Sequence, residues 1–225
     1  MNLKIISFII LMSSGLFVVA QQKPEVFSNL KDYHQDVILN PDHQLVEIIK
    51  EIPSIKLDIR YATTNNFSGV AVYKQAKAFA RRPVVDALEE IQLALNKQGL
   101  GLKIFDAYRP YAVTVKFWKV TPIDKKEFVA NPKTGSRHNR GCAIDLTIIN
   151  LQTGKELDMP TPYDSFVAAA SPTFEDVTPL QKQNRNLLIN IMENHGFKVI
   201  KNEWWHYDFK GWDKFPLMDI PFEKL

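Results

Sequence analysis

The sequence predicts an α+β fold, a single domain in which helices flank a central, mainly antiparallel sheet. Amphipathic helical patterns and short apolar strand patterns are mixed along the chain, without the regular strand–helix alternation of a parallel α/β protein. The chain also has no glycine-rich phosphate-binding loop, a frequent feature of such parallel folds. Both observations favour strands that pair mainly antiparallel.

The helices are predicted from apolar spacing and from the residues at helix ends. The clearest one covers residues 82–98, where Pro83 suits the first turn and Gly99 can supply a left-handed stop. Its apolar face consists of Val84, Leu88, Ile91 and Leu95. A second helix is expected to begin at Pro110, and a third to run over about 179–194.

Strands are predicted where short apolar runs stand between polar or turn-forming residues. These runs cover residues 102–105, 142–149, 197–200 and 205–209. Residues 21–44 are polar and weakly patterned, so we expect them to wrap the surface.

The first twenty residues have the pattern of a secretory signal peptide. Lys4 stands near the start, an apolar stretch covers residues 5–12, and small residues lead to Ala20. Cleavage after Ala20 would leave residues 21–225 as the exported, periplasmic domain, with no stable membrane insertion. An uncleaved membrane anchor is the alternative, but the apolar segment is short for a span of about 20 residues.

Charge and cysteine content narrow the classes of protein. The chain of 225 residues has 28 Lys and Arg against 25 Asp and Glu, for a net charge of +3. That near balance excludes the basic footprint of a nucleic-acid-binding protein. Cys142 is the one cysteine, so no intramolecular disulfide can form. An exported domain of this kind must rely on its apolar core, or on a metal ion.

The segment 136-SRHNRGCAIDLTII-149 places an aspartate within an apolar strand pattern. Burying an ionised carboxylate there is costly unless it is paired or bound to a metal ion. The polar, turn-like residues before the strand would let His138 fold back towards Asp145. Two interpretations stay open for this segment: half of a zinc site, or a His–Asp hydrogen bond that closes a loop.

The segment 202-NEWWHYDF-209 places Glu203 and His206 among aromatic residues. A turn leading into a strand would let both polar groups face one partly dry pocket. A catalytic zinc ion needs three protein ligands and an open position, and His206 would join His138 and Asp145 in that set. Glu203 would then be free to act as a general base. The alternative is a surface carboxylate that neighbours an aromatic strand.

The segment 104-IFDAYRPY-111 places Arg109 at a strand-to-helix junction, just before a proline. An arginine there can donate a fork of hydrogen bonds to an oxyanion or a carboxylate. A structural salt bridge with Asp106 is the competing interpretation.

Three short motifs occur together in the order of a known enzyme family. Residues 136–145 fit Ser-x-His-x-x-Gly-x-Ala-x-Asp, residues 203–206 fit Glu-x-Trp-His, and 106-DAYRP-110 fits an arginine-bearing corner. In this combination the chain resembles the zinc D,D-peptidases, which include D-alanyl-D-alanine dipeptidases of the VanX type and D,D-carboxypeptidases. Residues 58–69 and 157–166 resemble the dipeptidase branch in particular.

The resemblance implies the zinc D,D-peptidase (hedgehog-like) fold and a set of residue roles. It implies one Zn²⁺ per chain, whose ligands would be His138, Asp145 and His206. Glu203 would be the catalytic base, and Arg109 would stabilise the developing oxyanion. Three further residues would line the substrate pocket: Tyr61, Ser136 and Asp164. Asp164 would pair with the free ammonium of a dipeptide, and Ser136 would lie near its carboxylate.

The implied activity is hydrolysis of D-alanyl-D-alanine, or of related D,D-dipeptides, to free D-amino acids. Its partner is a small dipeptide and not a nucleic acid; no oligomeric state is predicted. One alternative is a D,D-carboxypeptidase that acts on peptidoglycan stem peptides, and another is a zinc-containing binding domain without activity. Because family members tied to glycopeptide resistance act in the cytoplasm, an exported enzyme fits dipeptide scavenging or cell-wall turnover better.

Overall fold

The structure, a computed structural model, describes residues 24–225. The predicted signal peptide, residues 1–20, lies outside this range, so its cleavage stays a prediction. Within the described range, no helix combines the length and the apolar character that a membrane crossing requires.

Strands and short helices alternate irregularly along the chain. The strands are β1 (Val26–Phe27), β2 (Leu45–Glu47), β3 (Lys56–Leu57), β4 (Phe79–Arg81), β5 (Leu100–Asp106), β6 (Ala143–Asn150), β7 (Phe197–Ile200), β8 (Glu203–Phe209) and β9 (Leu217–Met218). The helices are α1 (Leu30–Leu39), α2 (Ile48–Glu51), α3 (Arg82–Asn96), α4 (Tyr111–Val120) and α5 (Pro179–Asn194).

A five-stranded sheet forms the centre of the molecule, in the order β3-β5-β6-β8-β7. Only the edge pair β3–β5 is parallel; the other three pairs are antiparallel. Two small pairs lie outside it, β2 with β4 and β1 with β9. Helix α3 packs beside β5, and α5 beside β7 and β8. The predicted α+β class with a mainly antiparallel sheet is therefore confirmed.

The predicted helix ends agree with the structure to within two residues: the helix predicted over 82–98 ends at Asn96, and the one predicted from Pro110 begins at Tyr111. Helix α3 carries a proline in its first turn, and Gly99, just beyond it, has the predicted left-handed backbone with φ of +71°. Pro110 caps the start of α4. Helix α5 spans the predicted residues and begins with a capping box, in which Thr178 and Gln181 satisfy each other's backbone N–H groups.

The N-terminal region contains more regular structure than its composition indicates. Helix α1 begins after Asn29, whose side chain accepts a hydrogen bond from Asp32 N. Tyr33 is its one buried residue, and the Tyr33 hydroxyl accepts a hydrogen bond from Leu45 N at 2.8 Å. Because a single side chain anchors the helix, the sequence shows too short an apolar stripe to predict it.

Three neighbouring strands place polar side chains in one row across the sheet. Asp145 of β6 pairs with Asp106 of β5 on one side and with His206 of β8 on the other. The register shifts between Ile104 and Asp106, as at a β-bulge. Since directly opposed residues of antiparallel strands share a face of the sheet, the three polar side chains project from the same face.

Candidate active site

Three side chains converge so closely that a single ion can contact all of them. His138 Nε2 lies 3.3 Å from Asp145 Oδ1 and 3.1 Å from His206 Nδ1. The third side of this triangle, from His206 Nδ1 to Asp145 Oδ1, measures 3.0 Å. Tetrahedral zinc with bonds of about 2.0–2.1 Å separates its ligands by about 3.3 Å. The three atoms therefore have nearly the spacing of a zinc ligand set, and all three residues are buried.

The local backbone explains why these residues meet. Asp145 and His206 are direct cross-strand partners, so their side chains lie side by side. His138 lies on a short 3₁₀ turn, His138–Arg140, that ends at Gly141 with φ of +71°. A Cβ at Gly141 would lie 2.7 Å from Leu45 Cδ2. The left-handed backbone therefore favours glycine here, and a larger residue would also displace the Leu45 side chain.

Hydrogen bonds fix which nitrogen of each imidazole faces the centre. His138 Nδ1 donates to Ala107 O at 2.7 Å, which leaves Nε2 with its lone pair towards the other ligands. His206 Nε2 donates to Asp208 Oδ1 at 2.9 Å, so Nδ1 is the nitrogen that faces the centre. Asp208 was not predicted as part of the site, although its position two residues after His206 places both on one face of the strand.

The donor set fits a divalent cation. Asp145 Oδ1 is buried yet accepts no hydrogen bond from any described residue, while Oδ2 accepts one from the Tyr163 hydroxyl at 3.0 Å. Burial favours a higher pKa for Asp145, but His138 and His206 outweigh it and hold the pKa well below its usual range. A buried, ionised carboxylate with one unsatisfied oxygen is well suited to bind a cation. Two nitrogens and one oxygen suit zinc in particular.

The charges around His206 also favour a cation at this position. Burial lowers the pKa of His206, but contacts with the Asp145 and Asp208 carboxylates outweigh burial and raise the pKa to about 10. The same two carboxylates would stabilise a bound divalent ion.

Glu203 lies beside the three candidate ligands without a firm partner. Its Oε2 is 3.8 Å from His206 Nδ1, and its side chain makes no hydrogen bond within residues 24–225. Burial raises the pKa of Glu203 to about 7. A carboxylate in this state can take up and release a proton near neutral pH. The structure thus places it inside the site and not on the surface.

Arg109 makes the salt bridge that its sequence position allowed, and it also borders the cleft. Its Nε and Nη2 donate to Asp106 Oδ2 at 3.0 and 2.7 Å, and Tyr73 donates to Asp106 Oδ1 at 2.8 Å. The predicted salt bridge is therefore present. The guanidinium also lies over the rings of Tyr61 and Phe117 and borders the site cleft. Burial lowers the pKa of Arg109, but the Asp106 charge outweighs it, so the group stays cationic.

The remaining predicted pocket residues lie in the same cleft. Tyr61 donates to Asp164 Oδ1 at 2.9 Å, while Asp164 Oδ2 is buried and unpaired within the described chain. Burial, and then the Asp145 charge, raise the pKa of Asp164 well above its usual value. Asp164 has a φ of +60°, the only positive value outside glycine in residues 24–225. Ser136 is buried, and its Oγ accepts a hydrogen bond from His138 N.

One cleft of about 360 Å³ contains all eight residues that the sequence singled out: Tyr61, Arg109, Ser136, His138, Asp145, Asp164, Glu203 and His206. Five aromatic residues form part of its walls: Phe67, Phe117, Phe128, Phe166 and Trp205. The segment 123–130 covers part of the cleft: Phe128 stacks on Phe166 at 4.9 Å, and Asn202 donates to Glu127 O at 3.0 Å. This arrangement suits a small, partly desolvated ligand.

Comparison with known proteins identifies relatives along most of the chain. The model of the M15 peptidase family, described as D-Ala-D-Ala dipeptidase, matches residues 42–217. The D-alanyl-D-alanine dipeptidase of Escherichia coli (strain K12) is 33% identical over 179 residues, which cover 80% of this chain and 91% of the relative. That of Enterococcus faecalis (strain ATCC 700802 / V583) is 32% identical over 171 residues, 68% of this chain and 85% of the relative.

Solved structures overlap the chain only loosely. A vancomycin-resistance D,D-dipeptidase, VanXYg, in complex with a D-Ala-D-Ala phosphinate analogue, is 21% identical with a TM-score of 0.37, covering 60% of this chain and 52% of that one. The assignment rests instead on the family model and on the two sequence relatives. The family model and the two relatives each match more than two thirds of the chain. The predicted membership is therefore confirmed: this chain belongs to the D-Ala-D-Ala dipeptidase family of M15 peptidases.

Proposed function

We propose that this protein is a zinc-dependent dipeptidase that hydrolyses D-alanyl-D-alanine, or a closely related D,D-dipeptide, to two free amino acids. The observation that carries the proposal is the convergence in one cleft of a three-ligand cluster, an unpaired carboxylate, a fixed arginine and a buried aspartate. Each of these groups meets one requirement of amide hydrolysis on a substrate with a free amine.

His138, Asp145 and His206 would hold the metal ion. Bound there, zinc would supply Lewis-acid activation of water and of the peptide carbonyl at neutral pH. The protein's contribution is to keep the two imidazoles in fixed orientations through the Ala107 carbonyl and the Asp208 carboxylate.

Glu203 would act as the general base and then as the general acid. Its carboxylate takes the proton of the attacking water and delivers it to the nitrogen of the scissile amide, so the bond to that nitrogen breaks as an amine leaves. Two observations support the role: the group lies 3.8 Å from His206, and burial raises its pKa to about 7. No competing hydrogen bond from the described chain holds it.

Arg109 would stabilise the negative charge that develops on the carbonyl oxygen. Arg109 Nε and Nη2 donate hydrogen bonds to Asp106. Arg109 Nη1 makes no hydrogen bond within the described chain, so it can donate to a ligand. The ion pair with Asp106 and the neighbouring rings hold the guanidinium still, so little reorganisation is needed during reaction.

Asp164 would bind the substrate ammonium. Its buried Oδ2 has no partner among residues 24–225, and the Tyr61 hydroxyl fixes the other oxygen at 2.9 Å. An ammonium group would both satisfy Oδ2 and favour the ionised carboxylate. Because an acylated amine would leave this buried group unpaired, the site favours a dipeptide over the end of a longer peptide. This point weighs against the D,D-carboxypeptidase alternative.

We propose a role in cell-wall dipeptide turnover or scavenging outside the cytoplasm. The support is the signal-peptide pattern of residues 1–20, and an enzyme exported in that way would meet dipeptides released from the wall.

The test follows D-alanine release from D-Ala-D-Ala and from an N-acylated peptide ending in D-Ala-D-Ala, with zinc-loaded protein. We expect turnover of the free dipeptide only. The Glu203→Gln substitution should lower kcat by about 10²–10⁴-fold while the zinc content stays unchanged. Glu127→Gln is the matched control, because Glu127 borders the same cleft without contacting the candidate ligands.

Preferred turnover of the acylated peptide would instead establish a carboxypeptidase and remove the proposed role of Asp164. Zinc binding without turnover of either compound would leave the binding-domain alternative.

A further inference from the structure

A D,D-dipeptide is a zwitterion with an ammonium at one end and a carboxylate at the other. The proposed roles of Asp164, Ser136 and Arg109 provide a charged partner only for the ammonium. Asp164 offers an anion to the ammonium, but Ser136, the residue expected near the carboxylate, is neutral. Arg109 lies in the cleft, but its charge is already paired with Asp106 at 2.7 Å. A carboxylate that leaves water without a cationic partner loses hydration that a hydroxyl alone does not replace.

Arg137 is a cation that borders the cleft and lies next to Ser136 in the chain. In the cleft it lies beside His138 and His206. Its Nε lies 3.5 Å from Asp208 Oδ2, and the guanidinium lies 4.5 Å from the centre of the Trp212 ring. With 46% of its side chain exposed, it remains accessible to a ligand.

The guanidinium has unused hydrogen-bond donors. Its Nε faces Asp208, but neither Nη group makes a hydrogen bond with another residue of the described range. Asp208 does not fully neutralise Arg137, because its Oδ1 also accepts the Nε2–H of His206 at 2.9 Å. Two parallel N–H donors match the two oxygens of a carboxylate.

We propose that Arg137 anchors the C-terminal carboxylate of the dipeptide and so determines specificity for a free carboxylate. The inference rests on the proposed dipeptidase function. Together with Asp164 it gives the cleft a charged contact for each end of the substrate.

Lys201, another cation that borders the cleft, is less suited to this role. It lies at the turn between β7 and β8, and its exposed ammonium makes no hydrogen bond within residues 24–225. No aromatic ring or carboxylate of the described residues contacts its ammonium. Arg137 is held by Trp212 and Asp208, so less conformational freedom is lost when it binds a ligand.

The test combines variants of the cleft cations with removal of the carboxylate charge from the ligand. For zinc-loaded wild type, Arg137→Ala, Arg137→Lys and Lys201→Ala, we would measure KM and kcat for D-Ala-D-Ala. D-Alanyl-D-alaninamide lacks the carboxylate charge, and its inhibition constant is measured with D-Ala-D-Ala as the substrate. The zinc content and the zinc dissociation constant of each variant are also measured, because Arg137 contacts Asp208.

We expect Arg137→Ala to raise KM for D-Ala-D-Ala about tenfold, the effect of losing a charge-assisted hydrogen bond at a half-exposed site. The value of kcat should stay within about twofold, because the carboxylate contact is the same in ground and transition states. The inhibition constant of the amide should change less than about twofold. Arg137→Lys should recover part of the loss, and Lys201→Ala should resemble wild type.

Equal weakening of the acid and the amide would overturn the inference, as would a KM change that follows loss of zinc or an equal effect of Lys201→Ala. Wild-type protein that hydrolyses no dipeptide would refute the proposed function, and this inference with it. The two failures are therefore distinguishable.

Discussion

Asp208 is expected to set zinc affinity although it would not touch the metal ion. Its Oδ1 accepts the Nε2–H of His206 at 2.9 Å, and this contact orients Nδ1 towards His138 and Asp145. A hydrogen bond to a charged group contributes about 1.5–3 kcal/mol, and a neutral one about 0.5–1.5 kcal/mol. Asp208→Asn keeps an acceptor without the charge, so the cost to zinc binding is about 1–1.5 kcal/mol, or about tenfold.

Asp208→Ala removes the acceptor altogether, and the imidazole loses its fixed orientation. The expected loss is about 10–100-fold in zinc affinity, as for other contacts that orient a metal ligand. The assay is competition for zinc against a chromogenic chelator of known affinity, with metal-stripped protein at constant pH. Urea unfolding of each metal-free variant shows whether any loss comes from the fold.

Glu127→Gln is the control for charge in the cleft, because it removes a carboxylate that borders the cleft without contacting either imidazole. Its zinc affinity should equal that of wild type. Unchanged zinc binding by Asp208→Ala would refute the reasoning, since the orientation of His206 would then not depend on this hydrogen bond. An equal loss in Glu127→Gln would show that overall charge, and not the contact, sets the affinity.

Three further predictions concern other buried polar groups. Asp164→Asn should raise KM for D-Ala-D-Ala about tenfold or more, because the ammonium loses a buried anion; steady-state kinetics at fixed zinc content test this, and an unchanged KM would contradict it. Tyr73→Phe should lower the free energy of unfolding by about 1–3 kcal/mol, because Asp106 Oδ1 loses the 2.8 Å hydrogen bond; urea denaturation measures the change, and equal stability would contradict it. Burial raises the pKa of Cys142 to about 12, so Ellman's reagent at pH 8 should leave the folded protein unmodified but label it in urea.

Much of the site could be predicted because its members belong to short motifs whose spacing reflects local backbone geometry. His138 precedes a strand by a glycine-ended turn, and Asp145 stands in the strand that follows. Two antiparallel strands then suffice to bring His206 beside Asp145. The helix ends follow from equally local signals, such as Gly99 after α3.

Residues that contact these groups but lie far from them in the sequence could not be predicted in the same way. Tyr163 reaches Asp145 from a loop, and Tyr73 reaches Asp106 across 33 residues of sequence. Neither contact follows from a periodic pattern, because the loop paths that produce it depend on the packing of the whole chain. Asp208 is different, since its alternation with His206 along β8 was visible in the sequence.

The carboxylates in and beside the cleft illustrate how partners, and not residue type, determine chemical roles. Asp106 is paired with Arg109 and so fixes an arginine, whereas Asp208 is hydrogen-bonded to His206 and so fixes an imidazole. Both are satisfied within the protein and have little left for a ligand. Their function is to position cationic or ligating neighbours.

Three carboxylates, Asp145, Asp164 and Glu203, retain unsatisfied oxygens or lack a hydrogen bond, and each suits a different component of the proposed reaction. Asp145 Oδ1 lies between two imidazole nitrogens, which suits a metal ion. Asp164 Oδ2 is buried beside a tyrosine-bound oxygen, which suits an ammonium. Glu203 makes no side-chain hydrogen bond within residues 24–225, and burial raises its pKa to about 7, which suits a proton. A proton, an ammonium and a metal ion are the three cations that hydrolysis of a free dipeptide requires. The distribution of unsatisfied oxygens therefore supports the proposed reaction independently of the motifs.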